Sequence, residues 1–288
     1  MLGISILCLL GMASRAEANW VDPSLATHLQ AVVDRAAEIT GMGFGVRVED
    51  PVLGTGSVVA GAAQLTPPLP LKASDRFRIA SCSKTFTAAA VFLLKEAGLI
   101  DLDQTVAHYL PEYDIPSNHV VTVRHLLTHT SGLPDHNNDT GYFDQMYLDH
   151  PETYFPATQI FAVVRSLPYH FAPGTRYRYC DTGFYILHLM IERLNTNGWT
   201  YAQFVENRLL HPLGLTDTLV PCATNDWLRT IPGEHALGYI PIEGTWTEVT
   251  EINQSWDVGC GGMVSSLEDL CRWGRALYGG SVLSSSSL

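Results

Sequence analysis

The sequence predicts an α/β fold in which an antiparallel sheet flanked by helices stands beside a mainly helical region at about 80–240. Three observations carry this reading. Apolar residues recur at helical spacing through 23–39, and two short alternating runs, 44–49 and 57–62, follow directly across a PVLGTG turn. In the middle of the chain the stretch from Ser81 to Ala97 is free of Gly and Pro and is closed by Gly98, and further helical stretches follow it. A last helical stretch, ending at Tyr278, offers a helix to cover the sheet.

In chain order, Leu25, Leu29, Val32, Val33 and Ala36 form the inward stripe of the first helix, which Gly41 and Gly43 close. The two runs after it read as a β-hairpin, and because two strands are not stable alone, further strands are required. A Pro-rich approach, TPPLPLKASDRFRI, leads to the stretch from Ser81 to Ala97, with Gly98 where a helix C-cap belongs. Pro111 breaks the next segment, VTVRHLLTHTSGLPD gives a short helix into a turn, and 157–166, 183–195 and 200–210 read as helices before HPLGL. The region 217–265 carries few strong signals. Ser265 or Ser266 caps the final helix, with Glu268 and Asp269 as first-turn carboxylates.

The chain has 288 residues, 46% of them hydrophobic, and a net charge of −12 with its lysines and arginines scattered. A surface that tracks phosphates needs clustered cations, so nucleic acid is excluded as a partner. The first eighteen residues hold an apolar core from Leu2 to Ala13 and end in Ala16-Glu17-Ala18. That pattern predicts a signal peptide over 1–18, a secreted or periplasmic protein, and one domain over 19–288. No small residue precedes Cys8 in the way a lipidated cysteine requires, and no later run reaches the ~20 apolar residues of a membrane span. Cys82, Cys180, Cys222, Cys260 and Cys271 are odd in number and irregular in spacing, so they allow at most one or two disulfides and set no framework.

The stretch SCSKTFT at 81–87 carries the chemistry. A serine hydroxyl is a weak nucleophile that needs a proton acceptor within hydrogen-bond reach, and residues three apart share a helix face, so Ser81 and Lys84 meet. A lysine desolvated among apolar neighbours loses its proton more easily. A helix N-terminus beneath Ser81 also turns backbone N–H groups toward a developing oxyanion. His125 and His129 stand four apart without the Glu of a zinc-protease helix or a third ligand, so no metal is assigned and both read as packing residues of their turn. Cys82 and Cys180 lack a neighbouring His and read as small packing residues.

RIASCSKTFTAAAVFLLKEAGLIDLDQTVAHYLP, VTVRHLLTHTSGLPD, FAPGTRYRYCDTGFYILHLMIERL and GCGGMVSSLEDLCRW occur in that order. Together they resemble the serine β-lactamase-like, penicillin-binding family that includes class C β-lactamases, D-alanyl-D-alanine carboxypeptidases and related esterases. The resemblance runs from about residue 39 to 283 and implies a β-lactamase/transpeptidase-like fold. It also implies that Ser81 is acylated, that Lys84 is its proton partner, and that Tyr179 relays protons to the leaving amine. Which of Lys84 and Tyr179 is the acylation base stays open. Asp181 and Trp256 would face the substrate, with IPGEHALGYIPIEGTWTEV leading to the tryptophan as in the carboxypeptidase branch. No cofactor is implied. The implied partner is a peptidoglycan-type peptide or a β-lactam.

Two departures from the pattern change the expectation. Asp181 stands where the family has Asn, and a carboxylate offers no N–H to a substrate carbonyl and raises the pKa of a nearby lysine. The family's Lys-Thr-Gly or His-Thr-Gly motif occurs nowhere in the sequence, so the chain is expected to be C-terminally truncated, with its last strands missing and low activity. The readings are therefore a D-Ala-D-Ala carboxypeptidase-like, penicillin-binding hydrolase; a β-lactamase or carboxylesterase on the same fold; or an inactive remnant that binds penicillin or peptidoglycan.

Overall fold

The structure, a computed structural model, describes residues 8–9, 19–20, 22–115, 119–141, 148–221 and 230–287. Cys222 and all of the expected signal peptide except Cys8–Leu9 lie outside them. Among the described residues no helix is long and apolar enough to cross a membrane.

Asp22 caps α1 (Pro23–Thr40) by accepting from Ser24 N at 2.8 Å, Pro23 opens it, and Gly41 ends it at φ 72°. Leu25, Leu29, Val33 and Ala36 turn inward as expected. Val32 does not: it lies a further 100° round the helix and is 63% exposed. The chain then forms the hairpin of β3 (Phe44–Asp50) and β4 (Gly54–Ala60), paired from Phe44 with Ala60 to Asp50 with Gly54. Two two-residue strands complete the sheet, β1 (Cys8–Leu9) parallel to β3 and β2 (Asn19–Trp20) antiparallel to β4. The second strand was expected at 57–62. Gly61, at φ 82°, interrupts it, and β5 (Ala62–Gln64) turns away to pair with β6 (Leu69–Pro70).

The approach to the site runs through β7 (Phe77–Arg78), a 3₁₀ turn at Ala80–Cys82, and α2 (Ser83–Glu96). The expected single helix from Ser81 therefore begins two residues late, because Ala80 adopts φ 45° and turns the chain sharply at the helix entrance. Short helices α3 (Val106–Tyr109) and α4 (Val123–Leu127) follow, then α5 (Ala157–Ser166) and α6 (Asp181–Leu194). Next, α7 (Tyr201–Val205) passes through a π turn at Glu206–Leu210 into α8 (His211–Leu213). Sequence periodicity did not mark the hairpin β8 (Tyr239–Ile242) and β9 (Thr245–Glu248), in which no residue is fully buried and no buried face alternates with an exposed one. β10 (Val264–Ser265) pairs with β7 and leads into α9 (Leu267–Tyr278), capped by Ser266.

α1 and α9 pack on the β3–β4 hairpin, while α2 is the buried axis against which α6, α7 and α9 pack. Phe86 on α2 stacks on Trp273 of α9 at 4.0 Å and 12°, and Trp273 Nε1 donates to Thr85 Oγ1 at 2.9 Å. On the other side Thr87 Oγ1 bonds Tyr201 OH at 2.7 Å and Gly259 O at 2.8 Å. Asp269, expected only to stabilise the start of α9, also accepts from Asp217 N and Thr218 Oγ1 and pins that loop. Since Trp273 is 4% exposed, Trp273→Ala leaves a cavity against α2 and should cost roughly 3–5 kcal/mol. Denaturant unfolding measures it; a loss below about 1 kcal/mol on the same scale would contradict this packing role for α9.

Candidate active site

Four hydrogen bonds clamp the turn that carries Ser81. Ile79 N donates to Met263 O at 3.0 Å, Cys82 N to Ile79 O at 3.1 Å, Ser83 Oγ to Ala80 O at 2.7 Å, and Met263 N to Ser83 Oγ at 3.2 Å. Ser81 itself is exposed, whereas Lys84, the second residue of α2, is 7% exposed. Lys84 Nζ donates to Ser81 Oγ at 3.3 Å and to Cys260 O at 2.9 Å. Tyr179 OH donates to Ser81 Oγ at 2.7 Å. Ser81 and Lys84 from one segment and Tyr179 from another, 98 positions away, thus converge.

Asp181 begins α6 and joins them. Its Oδ1 lies 2.6 Å from Lys84 Nζ, with both side chains nearly inaccessible. Its Oδ2 accepts from Asn137 Nδ2 and Asn138 Nδ2, each at 3.0 Å, and its backbone N donates to Asp135 Oδ2 at 3.0 Å. Asp135 in turn accepts from the backbone N of Asn137 and Asn138, which holds the two amides in place. Burial works against a charge on Lys84, but the acidic groups around it, Cys260, Asp181 and Asp257, outweigh burial and hold its pKa above the lysine range. Burial keeps the Cys260 thiol protonated, so Asp181 is the effective partner. Burial likewise works against the Asp181 carboxylate, and the Lys84 ammonium with the Asn137 amide overcomes it and lowers its pKa. Lys84 is therefore an ammonium in the resting site, not the neutral amine that its apolar surroundings suggested.

His129 packs its ring on Tyr179 at 4.5 Å and 29°, and its Nδ1 accepts from Cys180 N at 3.1 Å. It does so from a left-handed backbone, φ 56°, so the histidine read as a packing residue holds the tyrosine of the site. His125 is spent in a capping box with Thr122. Among the described residues no group of three His, Cys, Asp or Glu is arranged to hold a metal. Cys180 is buried as expected, but Cys82 is exposed because the 3₁₀ turn faces it outward. Cys260 and Cys271 are buried as well.

A cavity of about 320 Å³ opens beside Ala80, between β3, β7 and the β8–β9 hairpin. Trp256 lines it, held from behind by His136, whose Nε2 meets Trp256 O at 2.8 Å. Asp257 lines it too. Asn137, Asn138, His129 and Asp257 were not singled out as site residues from the sequence; His129 lies inside the quoted HLLTHTSGL run, while the other three belong to loops without periodicity.

The family model described as Beta-lactamase matches residues 29–288. The chain belongs to the Beta-lactamase family. Penicillin-binding protein 4* of Bacillus subtilis (strain 168) is 31% identical over 240 residues, 79% of this chain and 50% of that protein. Putative penicillin-binding protein PbpX of the same strain is 26% identical over 216 residues, 73% of this chain and 48% of that protein. The chain thus spans half or less of the length of these relatives. Among solved structures, a D-stereospecific amidohydrolase from Streptomyces sp. superposes with a TM-score of 0.79 at 27% identity, covering 91% of this chain and 75% of that one. A D-amino acid amidase from Ochrobactrum anthropi SV3, complexed with D-phenylalanine, gives 0.78 at 26% identity, covering 92% and 74%. These similarities bear out the β-lactamase/transpeptidase-like fold.

The buried Lys84–Asp181 pair yields a direct prediction. Asp181→Ala leaves the Lys84 ammonium buried and unpaired, which should cost roughly 3–5 kcal/mol near neutral pH. Because the Asp181 pKa is lowered in the folded chain, its contribution is complete above the ordinary 3.8 and disappears as pH falls through the depressed value. Denaturant titrations of parent and variant at neutral and acid pH should therefore converge at the acid end, and a pH-independent difference would refute the pair.

Proposed function

We propose that this chain is a serine hydrolase that works through an acyl-enzyme on amide bonds beside a D-configured residue, with D-alanyl-D-alanine-type peptides as substrates and penicillins as acylating mimics. The observation that carries the reading is Ser81 Oγ held at once by Tyr179 OH at 2.7 Å and by Lys84 Nζ at 3.3 Å, one residue after Ala80 of the cavity wall. Penicillin-binding protein 4* supports the penicillin and peptide side of the proposal. The Streptomyces amidohydrolase and the Ochrobactrum amidase support the D-configuration. Export, expected from residues 1–18, belongs to the same proposal because the peptide is a cell-wall component.

In the first half-reaction Ser81 Oγ attacks the carbonyl carbon. Tyr179 accepts the serine proton while passing its own phenolic proton to the leaving nitrogen, so the tyrosine ends neutral and the C–N bond breaks as the ester forms. Burial raises the Tyr179 pKa and Lys84 opposes that rise. A concerted relay of this kind avoids a free phenolate and leaves Lys84 charged, near the oxygen on which negative charge develops. In the second half-reaction water opens the ester through the same tyrosine in reverse. Asn137 and Asn138 supply side-chain amides beside Asp181, where the family's asparagine would be.

Incubation of the chain with a penicillin, followed by intact-mass measurement, should give a covalent adduct that is absent in Ser81→Ala. Tyr179→Phe should slow its formation by roughly 10²-fold, the scale of one general acid–base group. A folded parent that gains no mass would refute acyl transfer. Hydrolysis of a short-chain ester with higher kcat/KM than a D-Ala-D-Ala peptide would refute the proposed substrate.

A further inference from the structure

A relay through Tyr179 needs its phenol held on Ser81, and one residue holds that tyrosine in three ways. His129 lies half-buried in the turn after α4. Its carbonyl accepts from Arg178 N at 2.9 Å and its Nδ1 from Cys180 N at 3.1 Å, so it brackets Tyr179 through both chain neighbours. Its ring also stacks on the Tyr179 ring and lies 5.2 Å from that of Phe184 on α6. The left-handed φ of 56° that aims the ring this way favours glycine and asparagine over histidine. The turn is fixed around it, with Thr130 N donating to His125 O at 2.9 Å and Gly174 N to Thr130 O at 2.8 Å. Strain of this kind persists only where the surrounding bonds over-determine it.

A backbone N–H can only donate, so the bond from Cys180 fixes the state of the ring. Nδ1 carries no proton, and the neutral imidazole holds its single hydrogen on Nε2. A proton on Nδ1 would set two N–H groups against each other at 3.1 Å and add a second cation near Lys84. The groups that face the ring are the Lys84 ammonium of α2, the Asp181 carboxylate of α6, Asp135 of the following loop, and the phenols of Tyr177 and Tyr179. The Arg178 guanidinium is paired with Asp139. Burial and then Lys84 work against a charge on His129, outweigh Asp181 and Asp135, and hold its pKa below the ordinary 6.5.

We propose that His129 is the positioning residue of the relay: its neutral ring seats Tyr179 OH on Ser81 Oγ, and a proton taken up at Nδ1 unseats the phenol and stops acyl transfer. The inference rests on the acyl-transfer reading above. It places the acid sensitivity of the reaction in neither reacting group, since the phenol keeps its proton in acid and Lys84 stays an ammonium.

The acylation rate at saturating penicillin, followed by intact mass from neutral to acid pH, tests this. The parent should lose rate along an acid limb below 6.5. His129→Asn tolerates the left-handed backbone and offers an amide oxygen to Cys180 N but cannot titrate, so it should be slower than the parent and show no limb before the carboxyl range. His129→Phe keeps a ring over Tyr179 without the acceptor and should be slower still, by about 10²-fold, the scale of a misplaced reacting group, with half-saturation little changed. In ¹⁵N spectra of the eleven histidines of the parent, the signals lost in either variant should show a bare Nδ1 and a protonated Nε2 at neutral pH. A parent without the limb, a limb that survives in His129→Asn, a His129→Phe rate equal to the parent's, or a protonated Nδ1 at neutral pH would each overturn the inference. The penicillin adduct separates the two claims: a folded parent without an adduct refutes acyl transfer and with it any relay to position, whereas an adduct formed without the limb refutes the role of His129 alone.

Discussion

A buried ammonium facing a buried carboxylate, Lys84 against Asp181 at 2.6 Å, is the interaction on which the rest of the site depends. Either ion alone would be several kcal/mol out of balance at this depth, so neither α2 nor α6 can shift without the other. The pair fixes the start of both helices. It also draws in the loop of Asp135, Asn137 and Asn138 on one side and the Cys260 turn on the other. Ser81 stands one turn before that anchor and Tyr179 two residues before it, so the distance between nucleophile and proton relay follows from how the two ions are seated.

This arrangement divides the chemical roles. In the proposed reaction, with Asp181 in place of an asparagine, Lys84 stays charged as a fixed positive centre and proton movement falls to Tyr179, whose ring His129 and Lys84 flank at 4.5 and 4.9 Å. The neighbouring loop brings the amides of Asn137 and Asn138 to Asp181, both donating to its Oδ2.

Much of this was legible in the sequence. The S-x-x-K spacing brought Ser81 to Lys84, although through a 3₁₀ turn before the helix, because three-residue spacing survives either geometry. The capped ends of α1 and α9 and the alternation of β3 were read nearly to the residue. What stayed hidden depends on contacts between distant segments. Val32 faces water because only a narrow stripe of α1 meets the sheet, and Cys82 is exposed because Ala80 turns the chain. The amides of Asn137 and Asn138 reach Asp181 across more than forty positions. The charge state of Lys84 was legible only as a consequence of Asp181, and its sign was settled by 2.6 Å.

The most direct measurement is the protonation of Lys84, followed by ¹⁵N NMR of its Nζ in lysine-labelled protein, where only Lys72, Lys84 and Lys95 contribute. The account predicts that the Lys84 signal remains that of an ammonium beyond the ordinary lysine value of 10.5. A Lys84 that loses its proton near neutral pH would contradict it, and would return the role of base to the lysine.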